Sequence, residues 1–252
     1  MRDQNQDERR YAEFYRLYAL DFRQDVRVYL ELAAKWPGAV LEVGCRTGRV
    51  ARHLAQAGYE VLAIDTSRPM LERAVEELRD AGDKVRVADF DLRRHPTPER
   101  HSVALATLFA FNDLIDVEEQ RLFLRHLRRS MTSPGVAALD LFCPLSLARP
   151  DEAHQPREIE REVGGKVLRV VDEREMLTPL LERRTRSFST DGGEPGRNVT
   201  HRRYITPSLA GGLMAEAGFG NVQWVRGYDL STAEPISDGA RPDGPFLVLG
   251  EL

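Results

Sequence analysis

The segment that most constrains the fold is Ala39-Val40-Leu41-Glu42-Val43-Gly44-Cys45-Arg46-Thr47-Gly48, a short apolar run that breaks into a glycine turn. Behind it Val50, Leu54 and Ala57 recur at helical spacing, and Gly58 follows as a stop. A strand that turns straight into a helix does not form a hairpin; it returns to its sheet by a right-handed crossover, parallel to its first pass. The alternation then repeats. Glu60 to Asp65 reads as a second strand. Ser67 is placed to cap a helix with Pro69 in its first turn and Leu71, Ala74, Val75 and Leu78 on one face, ended by Gly82. Lys84 to Phe90 and Ser102 to Phe111 read as the third and fourth strands. Asp116-Val117-Glu118-Glu119 opens a helix, and Gly135 to Pro144 is the fifth strand. Such βαβ units predict a parallel sheet covered on both faces.

The rhythm changes after the fifth strand. Lys166 to Asp172, Leu180 to Thr190 and Asn198 to Thr206 read as extended segments, with Asp191-Gly192-Gly193-Glu194-Pro195-Gly196 as a turn between the last two. A helix from Pro207 to Ala217 and strands Val222 to Tyr228 and Phe246 to Glu251 resume the α/β order. Ahead of the sheet, Tyr11 to Ala34 reads as one helix with Phe14, Tyr15, Tyr18, Phe22, Val26, Tyr29 and Leu30 along an apolar stripe. The expected organisation is an N-terminal helical cap over 1–37, an α/β domain over 38–149 and 206–252, and an inserted antiparallel β flap over 150–205.

Composition narrows the function classes. A chain of 252 residues with 42% hydrophobic and 30% charged residues has enough apolar content for a sizeable core. Its net charge of −4 argues against a non-specific nucleic-acid binder. Cys45 and Cys143, far apart, read as free thiols. The polar start carries no apolar signal region, and no apolar run approaches the roughly 20 residues that span a bilayer. A soluble, cytoplasmic protein without a membrane partner is expected, and Asn198-Val199-Thr200 is read as a chance sequon. His53, His95, His101, His126 and His154 show no metal-ligand pairing, so no metal site is expected.

Ligands of an open α/β sheet bind beyond the carboxyl ends of its strands. There the glycine turn lets backbone approach a ligand, and the helix start offers free N–H donors. Asp65 ends the second strand, where a carboxylate accepts from ribose hydroxyls. Asp89-Phe90 ends the third, an acceptor beside a hydrophobic wall for a ring. Three such groups at successive strand ends describe a nucleoside site, although each Asp alone also fits a helix cap.

With these residues the chain resembles the class I S-adenosylmethionine-dependent methyltransferases. Within them it is similar to the small-molecule branch of deoxysugar N-methyltransferases and glycine/sarcosine-type N-methyltransferases. The resemblance runs through Val40 to Cys45, Ala63-Ile64-Asp65-Thr66-Ser67, Pro69-Met70-Leu71, Ala88-Asp89-Phe90, Phe109 to Leu114, Ser133-Pro134-Gly135, Arg203-Tyr204-Ile205-Thr206-Pro207 and Ala217-Gly218-Phe219. It implies a doubly wound Rossmann-like α/β fold with a seven-stranded sheet, mostly parallel with an antiparallel last strand. It implies S-adenosylmethionine as cofactor. Glu42, Gly44 and Gly48 would shape the methionine pocket, Asp65 would hold the ribose, and Thr66 and Met70 would line the adenosine. Asp89 and Phe90 would bind adenine, and backbone near Leu108 would meet the methionine amino group. Tyr15 and Tyr18 look like leading-helix tyrosines that fold over cofactor and substrate; equally, they pack the helix onto the sheet. One departure stands out: the family pattern has glycine where this chain has Arg46, which either points outward or pairs with a carboxylate of cofactor or substrate.

The expected activity is methyl transfer to an amine or hydroxyl of a small molecule, such as a sugar nucleotide or another specialised metabolite. Aligning the acceptor and excluding water are the main requirements. Asn112, Arg203 and Tyr204 are candidate acceptor contacts beside Tyr18, and His201 is a candidate base, unless it is an exposed strand histidine. Arg202 and Arg203 alternate faces, so one of them is solvated. The flap would cover the acceptor pocket, and the resemblance leaves room for a homodimer formed through it. Two alternatives stay open: a fold relative that uses the cofactor in a non-methylating reaction such as cyclisation, and a non-catalytic binding protein.

Overall fold

The computed structural model describes residues 4–144, 156–237, 240, 242 and 244–252. His154 and the expected boundary between 149 and 150 lie outside them. Two helices, α1 (Gln4–Tyr18) and α2 (Val26–Lys35), precede the sheet. The α/β alternation follows as β1 (Val40–Val43), α3 (Arg49–Gln56), β2 (Val61–Asp65), α4 (Arg68–Glu77), β3 (Val85–Asp89), β4 (His101–Ala106), α5 (Val117–Arg129) and β5 (Met131–Cys143). Then come β6 (Arg157–Val163), β7 (Lys166–Thr178), β8 (Leu181–Thr190), β9 (Gly196–Arg203), α6 (Pro207–Glu216), β10 (Gly220–Arg226), β11 (Glu234–Pro235) and β12 (Gly244–Glu251).

The main sheet has the order β11-β10-β12-β5-β4-β1-β2-β3. The strands β3, β2, β1, β4 and β5 run parallel, and β12 inserts antiparallel beside β5. The seven strands expected of the Rossmann-like sheet are present, and the two-residue β11 adds an eighth at the edge by pairing with β10. All residues of β1 and β4 are buried, as parallel strands covered on both faces must be. One core joins Leu41, Val43, Leu105's neighbours Ala104 and Ala106, and Leu139 to the apolar faces of α5 and α6. The other joins Val40, Ala63, Leu105 and Val136 to α2, α3 and α4.

The second sheet is an antiparallel meander, β6-β7-β8-β9. Three of its strands match the extended segments read from sequence, and β6 adds a fourth. A two-residue turn, Gly164-Gly165, sets the pairing of Val163 with Lys166. The end of the last segment is corrected: β9 stops at Arg203, and Tyr204 to Thr206 lead into α6, whose first turn is capped by the Thr206 hydroxyl. Ser67 sits at the cap position of α4 but makes no side-chain cap bond; Asp65 accepts its N–H instead.

The single N-terminal helix is also corrected. The chain leaves helical geometry after Tyr18 and re-enters at Val26. Between them, the buried Asp25 carboxylate takes two hydrogen bonds from the Arg49 guanidinium at 2.8 and 2.5 Å, and the Phe22 carbonyl takes a third at 2.7 Å. Clasping Arg49 requires the chain to bend there. As a result α1 presents two apolar faces to different partners. Ala12, Tyr15 and Ala19 pack on Met70 of α4, whereas Phe14 and Leu17 pack on Val163, Leu168 and Phe188 of the second sheet. Helix α1 thus bridges α4 and the second sheet.

Asp25 is fully buried, so removing its partner strands a charge. Arg49→Leu is expected to cost about 3 kcal/mol in denaturant unfolding, and Asp25→Asn added to it should return part of that loss.

Candidate active site

The carboxyl ends of the parallel strands lie level. Val43 is in register with Ile64 and Ala106, and Asp65 with Asp89, so four strand ends open on one edge. The turn after β1 folds over this edge by giving the Gly44 and Cys45 N–H groups to the Ile64 carbonyl, at 2.9 and 3.0 Å. Gly44 has φ +73, and a Cβ there would meet the Ala110 Cβ at 2.5 Å, so only glycine fits. Arg46 also has positive φ, +52. For a non-glycine residue this costs roughly 1 kcal/mol. Its N–H donates to Asp65 Oδ2 at 2.8 Å, while Oδ1 accepts from Ser67 N at 2.8 Å. Asp65 is half-buried and Asp89 exposed beside it. Phe90 is half-buried, edge-on to His95.

Under the turn, Glu42 is buried. Its Oε1 accepts from the Thr107 hydroxyl at 3.0 Å, and its Oε2 has no partner. Burial pushes this carboxyl up to about 8. Glu42, Gly44, Thr107 and Leu108 line a cavity of about 10 Å³, a space that holds at most about one water. Tyr15 and Arg46 border it.

The turn after β4 supplies the other wall. Leu108 and Phe109 have φ +48 and +68, so the expected strand Ser102 to Phe111 ends at Ala106 instead. Apolar side chains made this stretch look extended. What holds it is Asp140, fully buried in the middle of β5. Asp140 Oδ2 accepts from the Leu108 N–H at 3.0 Å and from the Tyr29 hydroxyl at 2.8 Å, and the Tyr228 hydroxyl lies 3.3 Å from both oxygens. Burial pushes Asp140 up to about 7. Sequence reasoning missed it, although a lone carboxylate in Val136-Ala137-Ala138-Leu139-Asp140-Leu141 was a visible signal.

A larger cavity, about 510 Å³, opens between α1, these turns and the second sheet. Tyr11, Tyr15, Tyr18, Phe22 and Phe109 give it aromatic walls, and Arg46, Arg161, Arg184, Arg186 and Arg202 give it charge. Arg161 and Arg186 each lie 4.8 Å from the Tyr18 ring centre. Asp172, buried behind the wall, bonds to both Arg184 and Arg186. Burial works to raise its carboxyl, but the two guanidinium groups win and hold it at about 2.

Of the residues expected at the site, Tyr15 borders both cavities and Tyr18 lines the larger one. Glu42, Gly44 and Leu108 surround the smaller one. Gly48, φ +81, caps α3 and lines a third, basic cleft on the far side of the turn with Arg23, Arg49, Arg52 and His53. Thr66 is exposed, and Met70 is buried beneath α1.

Four residues named for acceptor chemistry lie elsewhere. In β9, Asn198, Thr200 and Arg202 line the large cavity; His201 and Arg203 belong to the other parity of the strand. His201 is exposed, and Arg203 donates to the Ile115 carbonyl. Asn112 is buried and spends its amide on backbone, donating to Arg203 O and Phe142 O and accepting from Phe142 N. Tyr204 is buried, with its hydroxyl donating to Glu182. Beside Arg202, the missed residues are Asp113, Asp140, Arg161 and Arg186. Among the described residues no cluster of metal-ligating side chains occurs, and no helix is long and apolar enough to cross a membrane.

The raised Glu42 carboxyl has a stability consequence. The folded state keeps its proton up to about 8, whereas the ordinary value is 4.5, so its contribution is present in acid and lost as pH rises across that window. Glu42→Gln should therefore gain on the wild type between pH 5 and pH 8 by more than about 1 kcal/mol, measured by denaturant unfolding at both values.

Comparison with known proteins agrees with this geometry. Residues 40–135 match the family described as "Methyltransferase domain". An uncharacterized methyltransferase of Geobacillus sp. (strain WCH70) is 35% identical over 88 residues, 35% of this chain and 40% of its own length. The chain thus spans less than half the length of this curated relative. Among solved structures, an S-adenosylmethionine-dependent methyltransferase from Clostridium acetobutylicum ATCC 824 superposes with a TM-score of 0.75 at 16% identity, over 96% of this chain and 98% of that one. The sugar N-methyltransferase KedS8 from Streptoalloteichus sp ATCC 53650 gives 0.72 at 18% identity, over 96% and 92%. Residues 40–135 thus match a methyltransferase-domain family, and the chain has the fold seen in S-adenosylmethionine-dependent methyltransferases.

Proposed function

We propose that the chain binds S-adenosylmethionine along the carboxyl edge of β1 to β4 and transfers its methyl group to an amine or hydroxyl of a small molecule held in the 510 Å³ cavity. The observation that carries this reading is the buried Glu42 Oε2, a hydrogen-bond acceptor without a donor beneath the glycine turn. It suits an ammonium such as the methionine amino group, which the raised Glu42 carboxyl would meet by giving up its proton. Asp65 and Asp89, level on neighbouring strands, suit ribose hydroxyls and an adenine amino group, with Phe90 as the ring's wall. When bound, the sulfonium supplies an activated methyl group for in-line displacement.

The chain's own residues position and enclose. Asp140 fixes the Leu108 turn that borders the small cavity. Tyr15 and Arg46 must move for the methionine end to enter, since about 10 Å³ is too little for it. Once they close, they exclude water from the transfer. The cavity falls in the range of about 300–1,000 Å³ usual for small-molecule sites. A sugar carrying an amine or hydroxyl is in keeping with KedS8, described as a sugar N-methyltransferase. No protein base is assigned, because an amine that binds neutral does not need one. The second sheet acts in this reading as a flap over the acceptor, and His201, on its other face, takes no part.

Calorimetry with S-adenosylhomocysteine tests the cofactor site. Micromolar binding is expected, falling at least about tenfold in Asp65→Ala. No binding at millimolar ligand would end the reading. Detection of S-adenosylhomocysteine as product, with labelled methyl on an added small-molecule acceptor, separates methyl transfer from cyclisation.

A further inference from the structure

Arg46 occupies a position that penalises it. Its backbone is left-handed, where glycine would be unstrained, and its side chain is only 20% exposed. It bridges the two cavities: the same residue borders the small one and lines the large one. Its guanidinium lies 5.2 Å from the Tyr15 ring centre and 2.9 Å from Asp113. That single carboxylate also serves Arg202, at 3.5 Å. Arg46 Nε is buried without a hydrogen-bond partner, and Arg202 Nε and Asp113 Oδ1, the two ends of that 3.5 Å ion pair, make no hydrogen bond.

Across the cavity Arg161 repeats the pattern. It donates to the Tyr18 carbonyl, its Nε is buried and unpartnered, and among the described residues no carboxylate pairs with it. Arg184 and Arg186 differ, sharing the Asp172 carboxylate, which leaves one positive charge between them. Five guanidinium groups therefore face two lining carboxylates, Asp21 and Asp113, with Asp172 as the third behind the wall. In a chain of net charge −4 this is a local excess of positive charge. Guanidinium forks with free donors, in a cavity walled by tyrosines, match the oxygens of a carboxylate or phosphate.

We propose that Arg46, Arg161 and Arg202 form an oxyanion-recognition site, and that the acceptor carries a carboxylate or phosphate group held there. The site rests on the reading of this cavity as the acceptor pocket. Arg46 then links the two halves of the reaction: its backbone N–H bonds the carboxylate assigned to the ribose, and its side chain holds the acceptor's anion.

The test uses the full chain saturated with S-adenosylhomocysteine and titrated calorimetrically with benzoate and with inorganic pyrophosphate. The wild type should bind one of them, more weakly as salt is raised; benzoate identifies a carboxylate, pyrophosphate a phosphate. Arg46→Gly suits the left-handed backbone and keeps the N–H to Asp65. It should weaken that probe at least about tenfold. Arg202→Gln should weaken the probe as well. Failure of both probes on the wild type, or equal binding to Arg46→Gly, would overturn the proposal. So would loss of S-adenosylhomocysteine affinity with the probe unchanged, which would give Arg46 to the cofactor's carboxylate. If the wild type bound no S-adenosylhomocysteine, the cofactor reading would fall, and the same probes titrated into the protein alone would decide the anion site.

Discussion

The structure depends on how the chain reverses at the carboxyl edge of its parallel strands. Parallel register brings the ends of β1, β2, β3 and β4 level, and each crossing from there must turn within a few residues. The chain does so with left-handed residues: Gly44, Arg46 and Gly48 after β1, Leu108 and Phe109 after β4. Left-handed turns direct backbone polar groups across the edge. Carboxylates anchor both turns, the half-buried Asp65 through the Arg46 N–H and the buried Asp140 through the Leu108 N–H. A ligand at this edge therefore meets a surface of fixed donors and acceptors, which is what positioning a reactive group requires.

Most of the sheet was legible because strands buried on both faces are written as mainly apolar runs, broken in β1 by Glu42 and in β5 by Asp140. That is why β1, β2 and β5 stand out, and why the carboxylates at the ends of β2 and β3 could be placed before any geometry was known. The misreadings share one cause: they depend on contacts distant in sequence. The helix break between Tyr18 and Val26 is dictated by Arg49, and no local breaker marks it. In Arg157 to Val163 only Ile159 and Val163 are apolar, so β6 gave no strand signal of its own. Along β9, alternation is plain but its phase is not: the sequence shows two faces without saying which meets the large cavity, and Thr200 and Arg202 line it whereas His201 and Arg203 lie on the other parity. Leu108 and Phe109 look like strand because the carboxylate that bends them lies in β5.

The buried charges divide by purpose. Asp25 with Arg49 shapes the N-terminal bend as a one-to-one pair, and Asp172, shared by Arg184 and Arg186, braces the second sheet from behind. Glu42, Arg46, Asp113, Arg161 and Arg202 are left partly unmatched, and they gather around the two cavities. Unsatisfied buried polar atoms are uncommon in folded proteins; among the described residues five of the eight such side-chain atoms lie around the two cavities, and the others belong to Gln120, Arg203 and Trp224.

Helix α1 packs one face on α4 and the other on the second sheet, and it also carries Tyr15 between the two cavities. One helix is thus the shared wall of two rooms, and any change to it is felt on both sides. In the proposed reaction, substitutions along α1 that retune acceptor choice would for that reason seldom leave the cofactor chamber untouched, and the two specificities would change together.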